Sequence, residues 1–506
     1  MAKFLIAHDL GTSGNKATLY GLDGKLYASS LYEYPTYYPG VNYVEQNPAD
    51  WWEAVCKSTI TLMEKAGVTA SDIGGVSFSA QMMGCLLVGK DGEPLRPMII
   101  WADQRSTKQA DFLEKELGQQ FIYKTTGHRI SPAYSLEKLM WVRDNEPDVY
   151  KKAAKVLHAK DYIIYKLTGN FVTDYSDAGG MNLFDMTKRT WSPAIIAATG
   201  IRADLLPEVH PSSDIAGTIT KEAAAACGLL EGTPVVIGGG DGSCATVGAG
   251  VARLGKTYCS MGSSAWISTA ANEPFFDPEM RTFNWIHLDP SLYTPNGTMQ
   301  TAGYSYSWVK NNLCDPELLE AAEKGISPYQ LINKLAEKSP AGANNLLFLP
   351  YLLGERSPRW NPNTKGCFLG LTLTSTRNDM IRSVLEGVGY NMKVILDVIN
   401  SKFPVEDIMM IGGGARGMEW LQMLADIWQR KLIVPEYIEE ATSLGAAIAC
   451  GVGIGAFPDF KVVEEFNKPA RTIEPNPENF AVYKKLFGIF EEAYNGLTGV
   501  FAKLNS

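Results

Sequence analysis

The chain has 506 residues, about three times the size of a common domain, so we expect two or three domains with sizeable cores. Its composition, 45% hydrophobic, 20% charged and 10% aromatic, excludes a disordered, collagen-like or coiled-coil chain. The formal net charge of −9 argues against a nucleic-acid backbone or an anionic membrane as the main partner, although a small polyanion can still bind locally.

No export signal or clustered metal ligands are visible. Only four apolar residues, 4–7, precede His8, too few for a signal peptide, so we predict a cytoplasmic protein. The uncharged stretch 441–458 contains four glycines and a proline, which predicts a buried helix and turn rather than a membrane span. The eight cysteines form no CxxC pair and the five histidines are not paired at helical spacing, so neither disulfides nor a zinc site is expected.

The first half of the chain mixes strands and helices. Three alternating segments, 4–9, 16–21 and 25–31, predict an antiparallel meander. Asn47-Pro48 and Gly67 delimit a predicted helix over 51–65. Further predictions are strands at 74–80 and 97–101 around a turn at Asp91-Gly92, and helices at 107–117, 137–144 and 160–167. This mixture is typical of α/β domains.

One short pattern occurs in both halves. Leu10-Gly11-Thr12-Ser13 has a counterpart in Met261-Gly262-Ser263-Ser264, about half the chain later, and both follow β-rich segments. A pattern this loose also arises by chance in a long chain. Equal halves with matching strand-turn-strand starts nevertheless indicate two related lobes, residues 1–252 and 253–506.

Residues 250–257 satisfy the phosphate-loop pattern GxxxxGK[ST]. Such a loop works between a strand and the N-terminus of a helix, where free N–H groups face the phosphates. Here the order is reversed, because a helix-like stretch at 245–251 precedes the loop and predicted strands follow it. We therefore interpret Lys256 as a surface residue in a connection.

Residues Gly412 to Gly417 fit the dinucleotide-binding pattern GxGxxG. The pattern lies between a predicted strand at 407–411 and a predicted helix at 418–429, and a strand at 431–435 followed by Glu436 completes a βαβ unit. From these residues alone three interpretations stay open: a dinucleotide site, a tight strand-to-helix turn, or a flat glycine surface for an adenosine.

Three other loops point to phosphoryl transfer. Asp9 to Gly14 places a carboxylate at a strand end, followed by small residues that can approach phosphate oxygens. Gly238 to Gly242 places Asp241 after a predicted apolar strand at 234–237, and Ser260 to Ser264 forms a third small, hydroxyl-rich turn. Together they predict a site between two lobes with one carboxylate for Mg²⁺ and one for a substrate hydroxyl.

The order and spacing of these motifs resemble the FGGY family of carbohydrate kinases over about residues 4–455, with most similarity to its xylulokinases. Further matching motifs lie at 79–84, 101–105, 160–162, 354–358 and 366–387. The resemblance implies an α/β fold of two actin-like, ribonuclease-H-like lobes with a cleft that closes over ATP and a sugar. It also implies phosphorylation of D-xylulose to D-xylulose 5-phosphate, with another ketopentose, a polyol or gluconate as the alternative.

The resemblance and the loop chemistry together assign roles. Asp241 is expected to be the catalytic base, and Asp9, with Asp241 nearby, to hold Mg²⁺. Phosphate contacts are expected from Gly11, Thr12, Ser13, Gly262, Ser263 and Ser264, and adenosine contacts from Gly412, Gly413, Gly414 and Ala415. Sugar contacts are expected from Gln81, Met82, Met83, Trp101, Asp103, Arg105 and Asp241.

Two positions depart from the xylulokinase pattern. Met83 stands where a histidine is usual, and Gly242 stands where asparagine usually follows the catalytic aspartate. Glycerol kinases carry Arg-Glu at the places of Met82 and Met83, so glycerol is disfavoured. The rival classes are an actin-like nucleotide sensor or chaperone and a nicotinamide dehydrogenase. A homodimer is the default expectation for oligomeric state.

Overall fold

The computed structural model describes residues 3–505. The predicted meander is confirmed as strands β1 (Phe4–Leu10), β2 (Gly14–Gly21) and β3 (Leu26–Glu33), paired antiparallel in that order. Helix α1 (Pro48–Ala66) begins at Asn47, whose side chain accepts the Ala49 N–H, and ends at Gly67 in the left-handed conformation with φ of 64°. These elements form where predicted because their caps and turns are local in sequence.

The rest of the first half alternates short strands with helices. Its elements are β4 (Tyr37–Gly40), β5 (Tyr43–Gln46), β6 (Ile73–Ala80), β7 (Leu86–Val88), β8 (Met98–Ile99), α2 (Thr107–Glu116), α3 (Gln119–Thr126), α4 (Ser135–Asn145), α5 (Pro147–Lys152), β9 (Lys155–Leu157), α6 (Ala159–Thr168), β10 (Val172–Asp174), α7 (Tyr175–Gly179), β11 (Phe184–Asp185), β12 (Thr190–Trp191), α8 (Pro193–Thr199), β13 (Glu208–His210), β14 (Ile215–Thr218), α9 (Lys221–Cys227), β15 (Pro234–Val236), β16 (Gly239–Gly240) and α10 (Asp241–Gly248). Helix α10 begins before the predicted helical stretch, so Asp241 is its first residue.

The second half opens with another meander. Its elements are β17 (Thr257–Met261), β18 (Ala265–Thr269), β19 (Phe283–Ile286), β20 (Tyr293–Met299), α11 (Gly303–Leu313), α12 (Asp315–Lys324), α13 (Pro328–Glu337), β21 (Leu347–Leu349), β22 (Cys367–Leu369), α14 (Arg377–Asn400), β23 (Asp407–Ile411), α15 (Met418–Trp428), β24 (Lys431–Pro435), α16 (Ala441–Gly453), α17 (Val463–Phe466), β25 (Pro469–Ile473) and α18 (Phe480–Lys503).

The two halves build sheets of the same design. In the first sheet the strand order is β14-β15-β6-β1-β2-β3, with β16 also on β6, and in the second it is β19-β20-β18-β17-β23-β24-β25. Both place an antiparallel meander on one side of the first strand, β1 or β17, and a parallel partner, β6 or β23, on the other. The predicted pair of α/β lobes is confirmed.

Helices α10 and α16 pack closely against each other where the lobes meet. A Cβ on Gly248 would lie 1.7 Å from the Ala441 carbonyl oxygen, and one on Gly445 would lie 2.0 Å from the Cys244 carbonyl oxygen. Only glycine allows this approach. Helix α16 also packs on β1 and β6 of the first lobe, so the lobes interlock; the boundary at residue 252 stays a prediction.

Two predictions about misleading segments are confirmed. The uncharged stretch forms the buried helix α16 and a turn, and no helix among residues 3–505 is long and apolar enough to cross a membrane. Lys256 lies in the connection from α10 to β17, with its Nζ 3.3 Å from Asp407 Oδ2 and its side chain 41% exposed. The helix-to-strand order is the reverse of a phosphate loop.

Candidate active site

Asp9 and Asp241 lie at one edge of the first sheet because of strand register. Parallel pairing places Asp9 beside Ser79, and Ser79 beside Gly239, so β1, β6 and β16 end together. The Ser79 hydroxyl donates to Asp9 Oδ1 at 2.9 Å. Burial raises the pKa of Asp9 to about 6, although the Ser79 hydrogen bond and the charge of Lys16 act in the opposite direction.

Asp241 follows three glycines that bring the backbone close to its neighbours. A Cβ on Gly239 would lie 2.4 Å from Leu288 Cδ2, and one on Gly240 would lie 2.5 Å from Met82 Sδ. The Asp241 side chain is open to solvent along the cleft, yet protein surrounds it closely. This loss of solvation raises the pKa of Asp241 to about 7, and the negative charge of Asp9 adds to the shift.

The two predicted phosphate turns have related backbone geometry. The Gly11 N–H donates to the Gly14 carbonyl at 3.0 Å, and the Gly262 N–H donates to the Ser264 carbonyl at 2.9 Å. Ser13, Gly262 and Ser263 are exposed, whereas Gly11, Thr12 and Ser264 are partly buried. Both turns therefore present small residues that leave room for phosphate oxygens.

The first turn is held by Trp101, one of the predicted sugar contacts, and by Gln46, which was not among them. Gln46 Nε2 donates to the Thr12 carbonyl at 2.6 Å, and Trp101 Nε1 donates to Thr12 Oγ1 at 2.9 Å. Gln81 Nε2 in turn donates to Gln46 Oε1 at 2.6 Å, and Gln81 Oε1 has no hydrogen-bond partner among the described residues. Sequence analysis missed Gln46, whose role depends on contacts with distant segments.

The methionines at 82 and 83 form part of an aromatic wall. Met82 is buried against Tyr134 and Trp285, and it packs on Gly240. Met83 has a left-handed backbone with φ of 61°, and its carbonyl accepts a hydrogen bond of 2.8 Å from the buried Lys138. The wall is mainly apolar where xylulokinases usually have a histidine.

Two predicted sugar contacts need correction. Asp103 is fully buried, and its carboxylate accepts hydrogen bonds from the Arg105 guanidinium and from the Val44 N–H at 2.6 Å. Arg105 also lies 3.9 Å from the Tyr43 ring. Because these groups satisfy each other, Asp103 and Arg105 do not face the cleft; they hold the hairpin that carries Gln46.

A cavity of about 450 Å³ lies beside the second turn. Gly303 allows its close packing, because a Cβ there would lie 2.4 Å from the Gly262 carbonyl oxygen. Glycines from the predicted adenosine loop and side chains from three helices complete its lining, among them Gly413, Gly414, Gly417, Tyr306, Tyr329 and Trp420. Size and flat glycine surface fit a nucleoside.

The glycine loop is only partly as predicted. Gly412 has φ of 81°, and residues Gly413–Arg416 form a 3₁₀ turn between β23 and α15. A Cβ on Gly413 would meet nothing within 4 Å, whereas one on Gly414 would lie 2.6 Å from Met261 Cβ. Ala415 is fully buried and its N–H donates to the Gly412 carbonyl, so the expectation that it contacts adenosine is corrected.

The aromatic lining of this cavity was missed by sequence analysis. The ring of Tyr306, on α11, lies 4.7 Å from that of Tyr329 on α13 and 5.3 Å from that of Trp420 on α15. The three residues are far apart in sequence and show no common motif. Their spacing alone is indistinguishable from that of ordinary core residues.

Two arginines near the aromatic wall, Arg356 and Arg129, form no ion pair within 4 Å among residues 3–505, although the charges of Glu355 and Glu114 act on them at longer range. Arg356 is partly open to solvent and lies near Tyr134; loss of solvation lowers the pKa of Arg356, and Glu355 and Tyr134 oppose that shift. Arg129, from the first lobe, lies 5.0 Å from the Trp360 ring of the second lobe. Sequence analysis had noted Arg356 only as part of a motif.

The donor set fits Mg²⁺. In the described part of the chain no three or more His, Cys, Asp or Glu side chains form a metal-binding cluster. Mg²⁺ in phosphoryl-transfer sites is commonly held by one or two carboxylates together with substrate phosphates and water. Asp9 and Asp241 offer two such carboxylates, and burial is the main cause of the raised pKa of each.

Comparison with known proteins covers nearly the whole chain. The model described as "FGGY family of carbohydrate kinases, N-terminal domain" matches residues 4–248, and that of the C-terminal domain matches residues 257–454. The xylulose kinase of Bacillus subtilis (strain 168) is 34% identical over 494 residues, covering 97% of each chain. The gluconokinase of Bacillus licheniformis is 32% identical over 506 residues, covering 100% of this chain and 98% of its own. The crystal structure of gluconate kinase from Lactobacillus acidophilus superposes with a TM-score of 0.92 at 28% identity, covering 100% of both chains.

Proposed function

The chain belongs to the FGGY family of carbohydrate kinases, and we propose that it transfers the γ-phosphoryl group of ATP to D-xylulose, giving D-xylulose 5-phosphate. The observation that carries the proposal is the register that brings Asp9 and Asp241 to one edge of the first sheet. Similarity to xylulose kinases over nearly the full chain supports the choice of sugar.

Asp241 is proposed as the base. A sugar hydroxyl loses its proton with difficulty at neutral pH, so a carboxylate helps mainly by orienting the oxygen and accepting the proton late in the transfer. With its pKa raised to about 7, Asp241 is poised to gain that proton. The proton therefore moves from the substrate hydroxyl to Asp241 as the oxygen attacks the γ-phosphorus.

The remaining residues bind and orient ATP. Asp9, with Asp241 nearby, would hold Mg²⁺, which when bound neutralises charge on the phosphate oxygens. The turns at 11–13 and 262–264 would donate to the β- and γ-phosphates, and the glycine-lined cavity would take the adenosine. Water is a competing nucleophile, so closure of the lobes on sugar would exclude it.

Gluconate is the second candidate substrate. The unpaired guanidinium groups of Arg356 and Arg129 favour it, because arginine pairs with carboxylates. In gluconate the carboxylate lies at the opposite end of the carbon chain from the terminal hydroxyl that would face Asp241. The gluconokinase among the relatives is consistent with this chemistry.

The test is ADP release measured with D-xylulose, D-ribulose, gluconate, a pentitol and glycerol at saturating Mg²⁺ and ATP. We expect D-xylulose to have the highest kcat/KM. A panel in which no sugar exceeds the sugar-free rate would refute the proposed function. If gluconate is preferred, Arg356→Gln should raise the KM for gluconate and leave that for D-xylulose nearly unchanged. Arg202→Gln, which removes an exposed arginine paired with Asp204, is the control.

We also infer a cytoplasmic location. All eight cysteines are free thiols and seven of them are buried, which suits a reducing compartment. A homodimer stays a prediction, and light scattering of the purified protein measures it.

A further inference from the structure

A fully buried charged cluster lies beside the Asp241 loop. Lys160 Nζ is 2.7 Å from Asp161 Oδ1, 3.0 Å from Asp174 Oδ1 and 3.0 Å from Asp177 Oδ2, and all four side chains have no exposed surface. Burying four charges is costly unless they are paired and hydrogen-bonded. The phosphoryl transfer described above makes no direct use of this cluster.

The cluster is connected to the base through one hydroxyl. Asp174 Oδ2 accepts hydrogen bonds from the Ser176 N–H at 2.8 Å and the Ser176 hydroxyl at 2.5 Å. Since that hydroxyl donates its proton to Asp174, its lone pairs are free to accept. Ser176 Oγ accepts the N–H of Gly240 at 2.9 Å, and Gly240 is the residue before Asp241.

The Gly240 contact matters because, apart from a two-residue pairing with β6 and the packing of its glycines, this backbone has no side-chain anchor of its own. Strand β16 consists of only Gly239 and Gly240, neither of which has a side chain to anchor it. Gly240 is also the N-cap of α10 and offers no capping side chain. A shift of the Gly240 N–H would move the start of α10 and, with it, the Asp241 carboxylate.

We propose that Ser176, oriented by Asp174 and Lys160, is a positioning residue that aims the Asp241 carboxylate at the substrate hydroxyl. The inference rests on the proposed role of Asp241 as the base. Ser176 touches neither sugar nor ATP, so its effect must pass through the backbone at Gly240. A misplacement of about 1 Å at a reacting group can cost on the order of 10²-fold in rate.

Ser212 provides a matched control. Its hydroxyl donates to the same oxygen, Asp174 Oδ2, at 2.7 Å, and it is as buried as Ser176. Its contact with the Asp241 loop is made by its backbone carbonyl, which accepts the Gly238 N–H and is retained in alanine. Ser212→Ala therefore removes a comparable hydrogen bond without removing the Gly240 contact.

The experiment compares Ser176→Ala with Ser212→Ala for kcat, both KM values and thermal stability. We expect Ser176→Ala to lower kcat by about tenfold or more, with both KM values within about threefold, and Ser212→Ala to keep kcat within about twofold. Both should lose stability, and Ser176→Ala should lose more, because it loses the Gly240 contact as well as a hydrogen bond to Asp174. Ser176→Cys, which keeps the shape of the side chain with a slightly larger and weakly accepting sulfur, should give an intermediate kcat and serves as the test if Ser176→Ala does not fold.

Equal losses of kcat in the two alanine variants would overturn the inference. A wild-type kcat in Ser176→Ala would also overturn it. If Ser176→Ala does not fold, a wild-type kcat in Ser176→Cys would do the same. A change confined to KM would also overturn it, because aiming the base acts on the transfer step. Failure of the proposed base role gives a different result: Asp241→Asn would then retain activity whatever the serine variants do. Failure of the proposed function is distinct again, because the wild-type protein itself would then release no ADP in response to any sugar.

Discussion

The two lobes share a scaffold but differ in where they carry charge. At the end of the first strand Asp9 precedes Leu10 and the turn in the first lobe, whereas Ser260 precedes Met261 and the turn in the second. Asp241 begins α10, whereas Ala441 begins the corresponding helix α16. Asp9 and Asp241 therefore both come from the first lobe, and the cavity proposed to take the adenosine is lined by the second.

This comparison shows that the two lobes share their backbone geometry and differ in the side chains placed on it. Strand order and glycine turns recur in both lobes, so each can approach phosphate oxygens. A carboxylate near phosphates is repulsive unless a cation or a proton in transfer compensates it. Under the proposed function, acids are useful only on the side that would hold Mg²⁺ and the acceptor hydroxyl, and the second lobe has Ser260 and Ala441 in their place.

The largest effect should follow from removing the first lobe's base. Asp241→Asn keeps the size of the side chain but cannot accept the hydroxyl proton, so kcat should fall by roughly 10²–10⁴ while ATP and sugar still bind. Steady-state kinetics and calorimetric titration measure both quantities. Asp111→Asn, an exposed substitution on α2, is the control. More than about a tenth of the wild-type kcat would mean that Asp241 is a structural turn residue.

Asp9→Asn should weaken Mg²⁺ binding rather than remove the group that accepts the hydroxyl proton. We expect the Mg²⁺ concentration that gives half-maximal activity to rise about 10–100-fold, together with a slower transfer. Titration of activity with Mg²⁺ at fixed ATP measures it. An unchanged metal requirement would place the Mg²⁺ ligand elsewhere.

Disturbing the second lobe's turn should weaken ATP binding without abolishing transfer. Gly303→Ala places a Cβ 2.4 Å from the Gly262 carbonyl oxygen, so the turn at 262–264 must shift. The KM for ATP should rise about tenfold, with the KM for sugar nearly unchanged. Gly488→Ala, whose Cβ would meet nothing within 4 Å, is the matched control. Equal effects of the two variants would contradict a phosphate role for this turn.

The charge difference between the lobes should also make the stability of the folded protein depend on pH. Burial raises the folded-state pKa of Asp241 to about 7, above its ordinary 3.8, so the folded protein gains stability as pH falls from about 7 towards 4 and the side chain takes up a proton. Asp241→Asn should therefore raise the melting temperature at about pH 8 without Mg²⁺, and the gain should vanish near pH 4. Differential scanning calorimetry checks this, and a variant that is less stable at pH 8 would contradict it.

The smallest effect is expected at Lys256 in the second lobe. Lys256→Met should leave kcat and KM within about threefold, because Lys256 pairs with Asp407 in a connection. A loss of about 10³ would instead indicate a phosphate-loop role. In the same preparation ATP with Mg²⁺ should raise the melting temperature and NAD⁺ should not.

Predictions from sequence held where structure is governed by neighbouring residues. The meander, α1 with its Gly67 cap, and the strand-turn-helix at 407–428 formed within a few residues of the expected bounds. Asp241 is the first residue of α10. The sequence did not predict this helix start, because the glycines before Asp241 provide no capping side chain.

Predictions failed where a side chain's partner lies far away along the chain. Asp103 and Arg105 have the composition of a sugar site, yet they pair with each other and with the β4–β5 hairpin. Ala415 follows three glycines but points into the core. Arg356 and the aromatic cavity residues carry no local sign of their surroundings.

The sequence by itself determined the two-lobed α/β fold, the family and the acids at strand ends, because turns, caps and parallel strand ends depend on residues adjacent in the chain. Only the tertiary structure decided which polar groups face the cleft, which are satisfied internally, and how Ser176 reaches Gly240 from 64 residues away. The physical reason is that a buried polar group must find a partner, and packing rather than sequence spacing chooses that partner.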